Sequence, residues 1–160
     1  MLFFRPVQEI DLKQICTFPQ DERELFFMFP KAHFPLTGKQ LQDSISMRID
    51  STVAVYDNTV VGFANFYEWK NEKCSIGNVV IDPSHRGKGI GKKLIVEMIR
   101  LAKEHHQANQ ICVSCFHENL EGLILYPKLG FVPHATEIRK DHADNTKVLI
   151  HFSLDLKQGA

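Results

Sequence analysis

Apolar and polar positions recur with two different periods along this chain, and the change from one to the other marks out its elements. Leu2-Phe-Phe-Arg-Pro-Val7 reads as a first strand, after which Glu9 or Asp11 is placed to open a short helix reaching Cys16. The stretch from Phe18 to Pro30 carries a short acidic helix and an aromatic cluster, and Thr37 suits the N-cap of a helix from Gly38 to about Met47. Ser51 to Tyr56 and Thr59 to Tyr67 are β-rich runs joined by Asp57-Asn58, a pair suited to a tight hairpin turn. A further strand runs from Cys74 to Ile81 and ends at Asp82-Pro83. From Gly89 the period becomes helical. Ile90, Leu94, Ile95, Met98, Ile99, Leu101 and Ala102 fall on one face, and Lys92, Lys93, Glu97, Arg100 and Lys103 on the other, to about His105. Gln110 to Phe116 predicts a strand, Asn119 to Lys128 a short helix closed by Gly130, and Phe131 to Ile138 and Thr146 to Leu156 an antiparallel pair. Strand-helix-strand-helix-strand flanked by hairpins predicts an α/β fold with a mixed sheet.

Composition narrows the class. The chain has 160 residues, 44% hydrophobic and 24% charged, which fits a soluble globular protein with no repeat or linker, read as one domain over 1–160. Its 19 basic residues balance 19 acidic ones, against a general nucleic-acid binder, which needs surplus clustered cations. No apolar run approaches the roughly 18 residues of a membrane span. The start, Met1-Leu-Phe-Phe-Arg-Pro6, lacks the form of a signal peptide, so a cytoplasmic location is expected. Cys112-Val-Ser-Cys115 spells C-x-x-C but lies inside a strand, where positions i and i+3 point to opposite faces. Structural thiols are expected there, with no metal site anywhere in the chain.

The chemistry concentrates in Val79-Val-Ile-Asp-Pro-Ser-His-Arg-Gly-Lys-Gly-Ile-Gly-Lys-Lys-Leu94, a strand running through a Gly-rich turn into the best helix of the chain. Glycines allow close backbone approach, and the first-turn N–H groups have no intrahelical partner, so this turn is built for phosphate oxygens. Arg86, Lys88, Lys92 and Lys93 add positive charge. The spacing fits neither a P-loop nor a Rossmann fingerprint, whose third glycine would fall at Lys92 and whose acidic residue is missing near Ala108 to Cys112. It does fit Arg/Gln-x-x-Gly-x-Gly/Ala, matched by Arg86-Gly-Lys-Gly-Ile-Gly91.

That motif, followed after the next strand by Asn119-Leu-Glu-Gly-Leu-Ile-Leu-Tyr126-Pro-Lys-Leu-Gly-Phe131, resembles the two signature blocks of the GNAT superfamily of N-acetyltransferases. The close match covers about Val53 to Phe131, and the element order fits the whole chain. The resemblance implies the GNAT fold, a mostly antiparallel mixed sheet of about seven strands flanked by helices, and acetyl-CoA as cosubstrate. It implies that the backbone of Val79, Val80 and Ile81 receives the pantetheine arm. Arg86, Gly87, Lys88, Gly89, Ile90, Gly91 and Lys92 would hold the pyrophosphate, and Asn119 would contact the pantetheine. Tyr126 would protonate the departing thiolate as a primary amine attacks the thioester directly in a ternary complex.

No general base emerges. Relatives that place a Glu in the fourth or fifth strand have it where this chain has Ser75 and Ser114, while spacing selects none of Glu68, His85, His117 or Glu118. Phe26, Phe27, Met28, Phe29, His33, Phe34 and Leu36 follow Asp21, Glu22 and Glu24. The aromatics either pack on the sheet beside a solvated acidic helix face or form an acceptor pocket with an acidic rim. The expected acceptor is a small-molecule amine and the expected state a monomer or homodimer. An alternative keeps the fold without turnover, as an acetyl-CoA-sensing module for a partner protein.

Overall fold

The structure, a computed structural model, describes residues 1–156, so the last four positions of the expected 1–160 domain lie outside the described residues. The strands are β1 (Leu2–Pro6), β2 (Ile49–Tyr56), β3 (Thr59–Glu68), β4 (Lys73–Ile81), β5 (Gln110–Phe116), β6 (Val132–Lys140) and β7 (Thr146–Asp155). The helices are α1 (Leu12–Ile15), α2 (Glu22–Met28), α3 (Gly38–Ser46), α4 (Ile90–His106) and α5 (Leu120–Lys128), with 3-10 turns at Glu9–Asp11 and Pro83–His85. All seven strands form one sheet in the order β1-β2-β3-β4-β5-β7-β6. Only β4 and β5 pair in parallel, so the expected mixed, mostly antiparallel sheet is what the chain forms. No helix among the described residues is long and apolar enough to cross a membrane.

Local chemistry explains most boundaries. Asp57 and Asn58 take left-handed backbone, φ 47° and 66°, as the tight β2–β3 turn requires. Thr37 caps α3 by accepting from the Gln40 N–H, and Asn119 caps α5 by accepting from the Gly122 N–H. Helix α4 buries Leu94, Ile95 and Met98 completely against Ala64, Phe66, Ile76, Ile111 and Val113 on one face of the sheet, where Tyr126 of α5 joins them. Helices α1, α2 and α3 cover the opposite face, packing Ile15, Leu25, Met28 and Leu41 on Val53, Val55, Phe63 and Val80. Each such side chain contributes about 1.5–3 kcal/mol by leaving water. The four cysteines are unpaired, with Cys74, Cys112 and Cys115 buried, and burial pushes the Cys115 thiol up to about 11. These are the structural thiols the strand pattern predicts.

One irregularity organises the centre. Phe63 pairs with Val80 and Asn65 with Gly77, so Ala64 alone faces Asn78 and Val79 across the β3–β4 ladder. This bulge in β4 reverses the side-chain alternation, and Ile76 and Val80 consequently enter cores on opposite faces. Asn78 sits at φ 52° and is buried. Its Oδ1 accepts from Ser44 Oγ (2.8 Å) and Asn65 Nδ2 (3.1 Å), and its Nδ2 donates to the Met28 carbonyl (3.1 Å).

Replacing Asn78 by Ala would orphan polar groups at Ser44, Asn65 and Met28 and force a left-handed backbone on an alanine. Orphaned buried groups cost about 1–3 kcal/mol each, so Asn78→Ala should lower the unfolding free energy in urea by roughly 2–4 kcal/mol. Asn78→Gly, which relieves only the backbone, should recover the smaller part of that loss.

Candidate active site

The two parallel strands part company at their C-terminal ends. Pairing between β4 and β5 stops at Ile76↔Val113, although β4 continues to Ile81 and β5 to Phe116. From Gly77 onward the β5-facing edge of β4 therefore has no ladder partner, and its N–H and C=O groups are left for an extended ligand to pair with. The resulting cleft holds about 640 Å³ and is lined by Gly77 to Ile81 on one wall, and by Val113, Ser114 and Phe116 on the other. Arg86, Gly91, Asn119, Leu125 and Tyr126 also line it. A volume of this size suits a small ligand or one arm of a larger one.

At the Ile81 end lies the glycine turn. Gly87 and Gly89 adopt φ 78° and 80°, which a side chain would strain, and Gly89 is the N-cap of α4. A capping side chain is absent there, so the first N–H groups of a 17-residue helix lie open at its positive end. Lys88 and Lys92 are exposed beside the turn, whereas the Ile90 side chain is core, packed with Ala54 and Val61. Gly87, Lys88, Gly89, Ile90 and Lys92 thus form the turn rather than the cleft wall. Arg86 is committed: its guanidinium donates both Nη groups to the Glu24 carboxylate at 3.0 Å, and Nε to the Ile81 carbonyl at 3.2 Å. The ion pair ties α2 to the turn across 62 residues of sequence.

Tyr126 is buried against Phe131 and Phe152, both with ring centroids at 5.9 Å, while lining the cleft. Burial raises its hydroxyl pKa above the ordinary phenolic value, so it stays protonated at neutral pH.

The opposite end of the cleft, where β4 and β5 begin to separate, carries groups that spacing did not single out. Arg48 stacks on Tyr67 (5.4 Å to the ring centroid) and donates Nη1 to Asn65 Oδ1 at 3.2 Å. Gly77 is needed for that approach, since a Cβ there would lie 2.6 Å from the Arg48 Nη1. Among the described residues Arg48 forms no ion pair, and burial lowers its pKa from the ordinary arginine value. Across the cleft, Ser114 Oγ lies 2.6 Å from His151 Nδ1, and His151 Nε2 lies 2.8 Å from Glu137 Oε1.

The four residues among which spacing selected no base are engaged elsewhere. Glu68 accepts from Ser75 at 2.7 Å, His85 faces Asp82 at 3.3 Å, and His117 Nδ1 accepts from the Val148 N–H at 3.2 Å; none of the three lines the cleft. Glu118 does line it but is paired with Lys147 at 2.5 Å. An acidic rim does not form from Asp21, Glu22 and Glu24: Asp21 caps α2, Glu22 lies outside the cleft and Glu24 serves Arg86. Of the aromatics, Phe26 packs on Phe116 at 4.5 Å, whereas Phe27, Met28 and Phe29 reach the cleft and His33, Phe34 and Leu36 do not. Outside the cleft, Asp50, His105 and His106 bring three possible metal-ligating atoms within 4.8 Å of one another, the two imidazoles facing the carboxylate at 3.2 and 2.7 Å.

Comparison with known proteins agrees with this geometry. The sequence profile of the acetyltransferase (GNAT) family matches residues 14–131. The spermine/spermidine N(1)-acetyltransferase of Bacillus subtilis (strain 168) is 32% identical over 83 residues, 48% of this chain and 55% of that protein, so only about half of that relative's length is matched. The glucosamine 6-phosphate N-acetyltransferase of Trypanosoma brucei brucei is 36% identical over 120 residues, covering 67% of this chain and 78% of the relative. Among solved structures, the ribosomal-protein-alanine N-acetyltransferase from Brucella melitensis superposes with a TM-score of 0.79 at 20% identity, over 96% of this chain and 99% of that one. The structure of yncA from Salmonella typhimurium with its cofactor acetyl-CoA gives 0.74 at 18% identity, over 98% and 94%.

The Glu24–Arg86 tether has a testable acid dependence. Its hydrogen bond to Arg86 holds Glu24 below the ordinary value of 4.5. The pair's contribution is thus complete above that value and lost as pH falls through the lower folded one. The stability difference between wild type and Glu24→Gln, from urea unfolding, should shrink between about pH 5 and pH 3; a difference constant over that range would show the tether is energetically silent.

Proposed function

The chain belongs to the acetyltransferase (GNAT) family, and on that premise we propose that it transfers the acetyl group of acetyl-CoA to the primary amine of a small molecule that also carries an anionic group. The observation that carries the reading is the cleft between β4 and β5. It joins an unpaired strand edge to the open N-terminus of α4 at one end and to an ion-unpaired Arg48 at the other. In this reading Val79, Val80 and Ile81 offer backbone groups to the pantetheine arm. The turn from Arg86 to Lys92 receives the pyrophosphate on its N–H groups, with Lys88 and Lys92 adding charge. Arg86 contributes through its backbone and by fastening α2. Asn119 caps α5 and borders the pantetheine arm. Backbone N–H groups near Val80 stabilise negative charge that develops on the carbonyl oxygen, and Tyr126 supplies a proton to the departing sulfur.

The acceptor follows from charge. Gly77 and Ile81 are four residues apart on β4, about 13 Å of strand, so Arg48 makes an anion site separate from the phosphate turn. A half-buried guanidinium without a carboxylate is costly unless its ligand brings one, and Arg favours carboxylate and phosphate over other partners. A polycation such as spermine, on which one relative acts by name, would meet Arg48 unfavourably; an amino sugar phosphate, named for another, would satisfy it.

Release of free thiol from acetyl-CoA tests the assignment across glucosamine 6-phosphate, glucosamine, amino acids, their amides and spermine, with controls lacking amine or enzyme. Anionic amines should be preferred. Release from none of them, with acetyl-CoA still bound, would favour a sensing role, and preference for spermine would overturn the acceptor class.

Two substitutions refine it. Tyr126→Phe should lower kcat about 100-fold, the low end for a general acid because a thiolate already leaves readily, with acetyl-CoA affinity unchanged by calorimetry. Arg48→Met should raise KM about 10–100-fold for the anionic amine and leave its uncharged analogue nearly unaffected, since one charge-assisted contact is worth about 1.5–3 kcal/mol.

A further inference from the structure

We propose that Ser114 and His151 form the proton-accepting pair for the acceptor amine, with Glu137 and Arg139 as positioning residues behind them. The proposal rests on the acetyltransferase reading above. Ser114 is the first residue of β5 past the last pair with β4, so it stands where the two strands begin to separate, and both Ser114 and His151 line the cleft. His151 lies directly opposite Ser114 in the β5–β7 ladder, which sets their side chains side by side on one face. Ser114 Oγ is 2.6 Å from Nδ1, and Nε2 is 2.8 Å from Glu137 Oε1. Three elements thus build one line of hydrogen bonds ending in the cleft.

The direction of that line follows from donor and acceptor inventories. Glu137 is bound by Arg139 Nε at 2.7 Å as well as by His151, and together they hold its carboxyl down to about 2. As a carboxylate it only accepts, so Nε2 carries the hydrogen and the Nδ1 lone pair faces Ser114. The serine hydroxyl then donates to Nδ1, which leaves its own lone pairs for a donor in the cleft. Around the ring stand Ser114 from β5 and Glu137, Arg139 and His134 from β6, the last with its ring stacked at 6.3 Å.

A primary amine arrives protonated at neutral pH and is no nucleophile until it loses a proton. Here its N–H bond breaks toward Ser114 Oγ while the Ser114 O–H bond breaks toward His151 Nδ1. The net change moves one proton from ammonium to imidazole, and the imidazolium sits between a neutral serine and the Glu137 carboxylate. The nitrogen lone pair then forms the bond to the acetyl carbon, and the C–S bond breaks with its electrons on sulfur. Sulfur takes the Tyr126 proton, the second nitrogen proton restores Tyr126, and the His151 proton leaves to solvent.

The test is the pH dependence of kcat/KM with the best amine of the panel, in wild type, His151→Gln, Ser114→Ala and Glu137→Gln, with acetyl-CoA affinity as the check of folding. At pH 7 His151→Gln should lose about 100-fold or more. That deficit should narrow as pH approaches the amine's own pKa, where solvent already supplies free amine. Ser114→Ala, which removes one oxygen, should show the same narrowing deficit and serves alone if His151→Gln does not fold. Glu137→Gln, whose amide no longer fixes the hydrogen on Nε2, should show the same pH-narrowing deficit at smaller size. A deficit that does not change with pH, or wild-type behaviour in Ser114→Ala or His151→Gln, would overturn the proton pair and leave the acetyltransferase reading standing. Absence of release by the wild type with every amine would overturn that reading, and the pair with it.

Discussion

The cleft depends on one extra residue in β4. A regular strand would keep its hydrogen bonds to β5 along its length and close the gap between them. The bulge at Asn78 and Val79 turns the strand at that point, and it persists because its polar groups are satisfied. Asn78 joins Ser44 of α3, Asn65 of β3 and the C-terminal carbonyl of α2 in one buried cluster, so helices from the other side of the sheet hold the distortion in place. The same cluster reaches the cleft, because the Asn65 carbonyl that remains accepts from Arg48. Fold and site are coupled through side-chain amides, whose two donors and two acceptor lone pairs allow such branching.

Charge is distributed along the cleft with equal economy. The chain has no net charge, yet the cleft ends in a helix N-terminus on one side and a guanidinium on the other. Two of the three acidic residues that line the cleft are neutralised locally, Glu24 by Arg86 and Glu118 by Lys147, while Glu121 is exposed in the first turn of α5. Local pairing of this kind lowers the long-range field of those two acids at the oriented N–H groups and at Arg48.

Much of this was legible in the chain. The helical period of α4, the glycines before it and the Asp57-Asn58 turn are local properties, and each appears where its pattern places it. Tyr126 and Asn119 both line the cleft, and one short block, the one that resembles the family's second signature, carries both. The rest is long-range. Glu24 and Arg86 are 62 residues apart, Ser114 and His151 are 37, and Arg48 reaches the cleft only because the glycine at position 77 lets it pass. No periodicity encodes those meetings. Ser75 and Ser114 read as missing carboxylates from sequence, and only the ladder reveals that one of them stands beside an imidazole.

In the proposed mechanism serine and histidine stand in place of a carboxylate, and Arg48 gives that arrangement a physical logic. A Glu at position 114 would place a fixed negative charge in the same cleft as Arg48, where the proposed acceptor's anionic group would lie. Two like charges about 5 Å apart interact by roughly 3 kcal/mol at an effective dielectric of 20, enough to cancel what one guanidinium contact supplies. A serine backed by histidine accepts the same proton from a neutral starting state and becomes positive as it does so. Its counter-charge, Glu137, stays behind the ring and is partly neutralised by Arg139. Under the proposed assignment the choice of base and the choice of acceptor are therefore one electrostatic decision, since an anionic amine is better served by an imidazole than by a carboxylate.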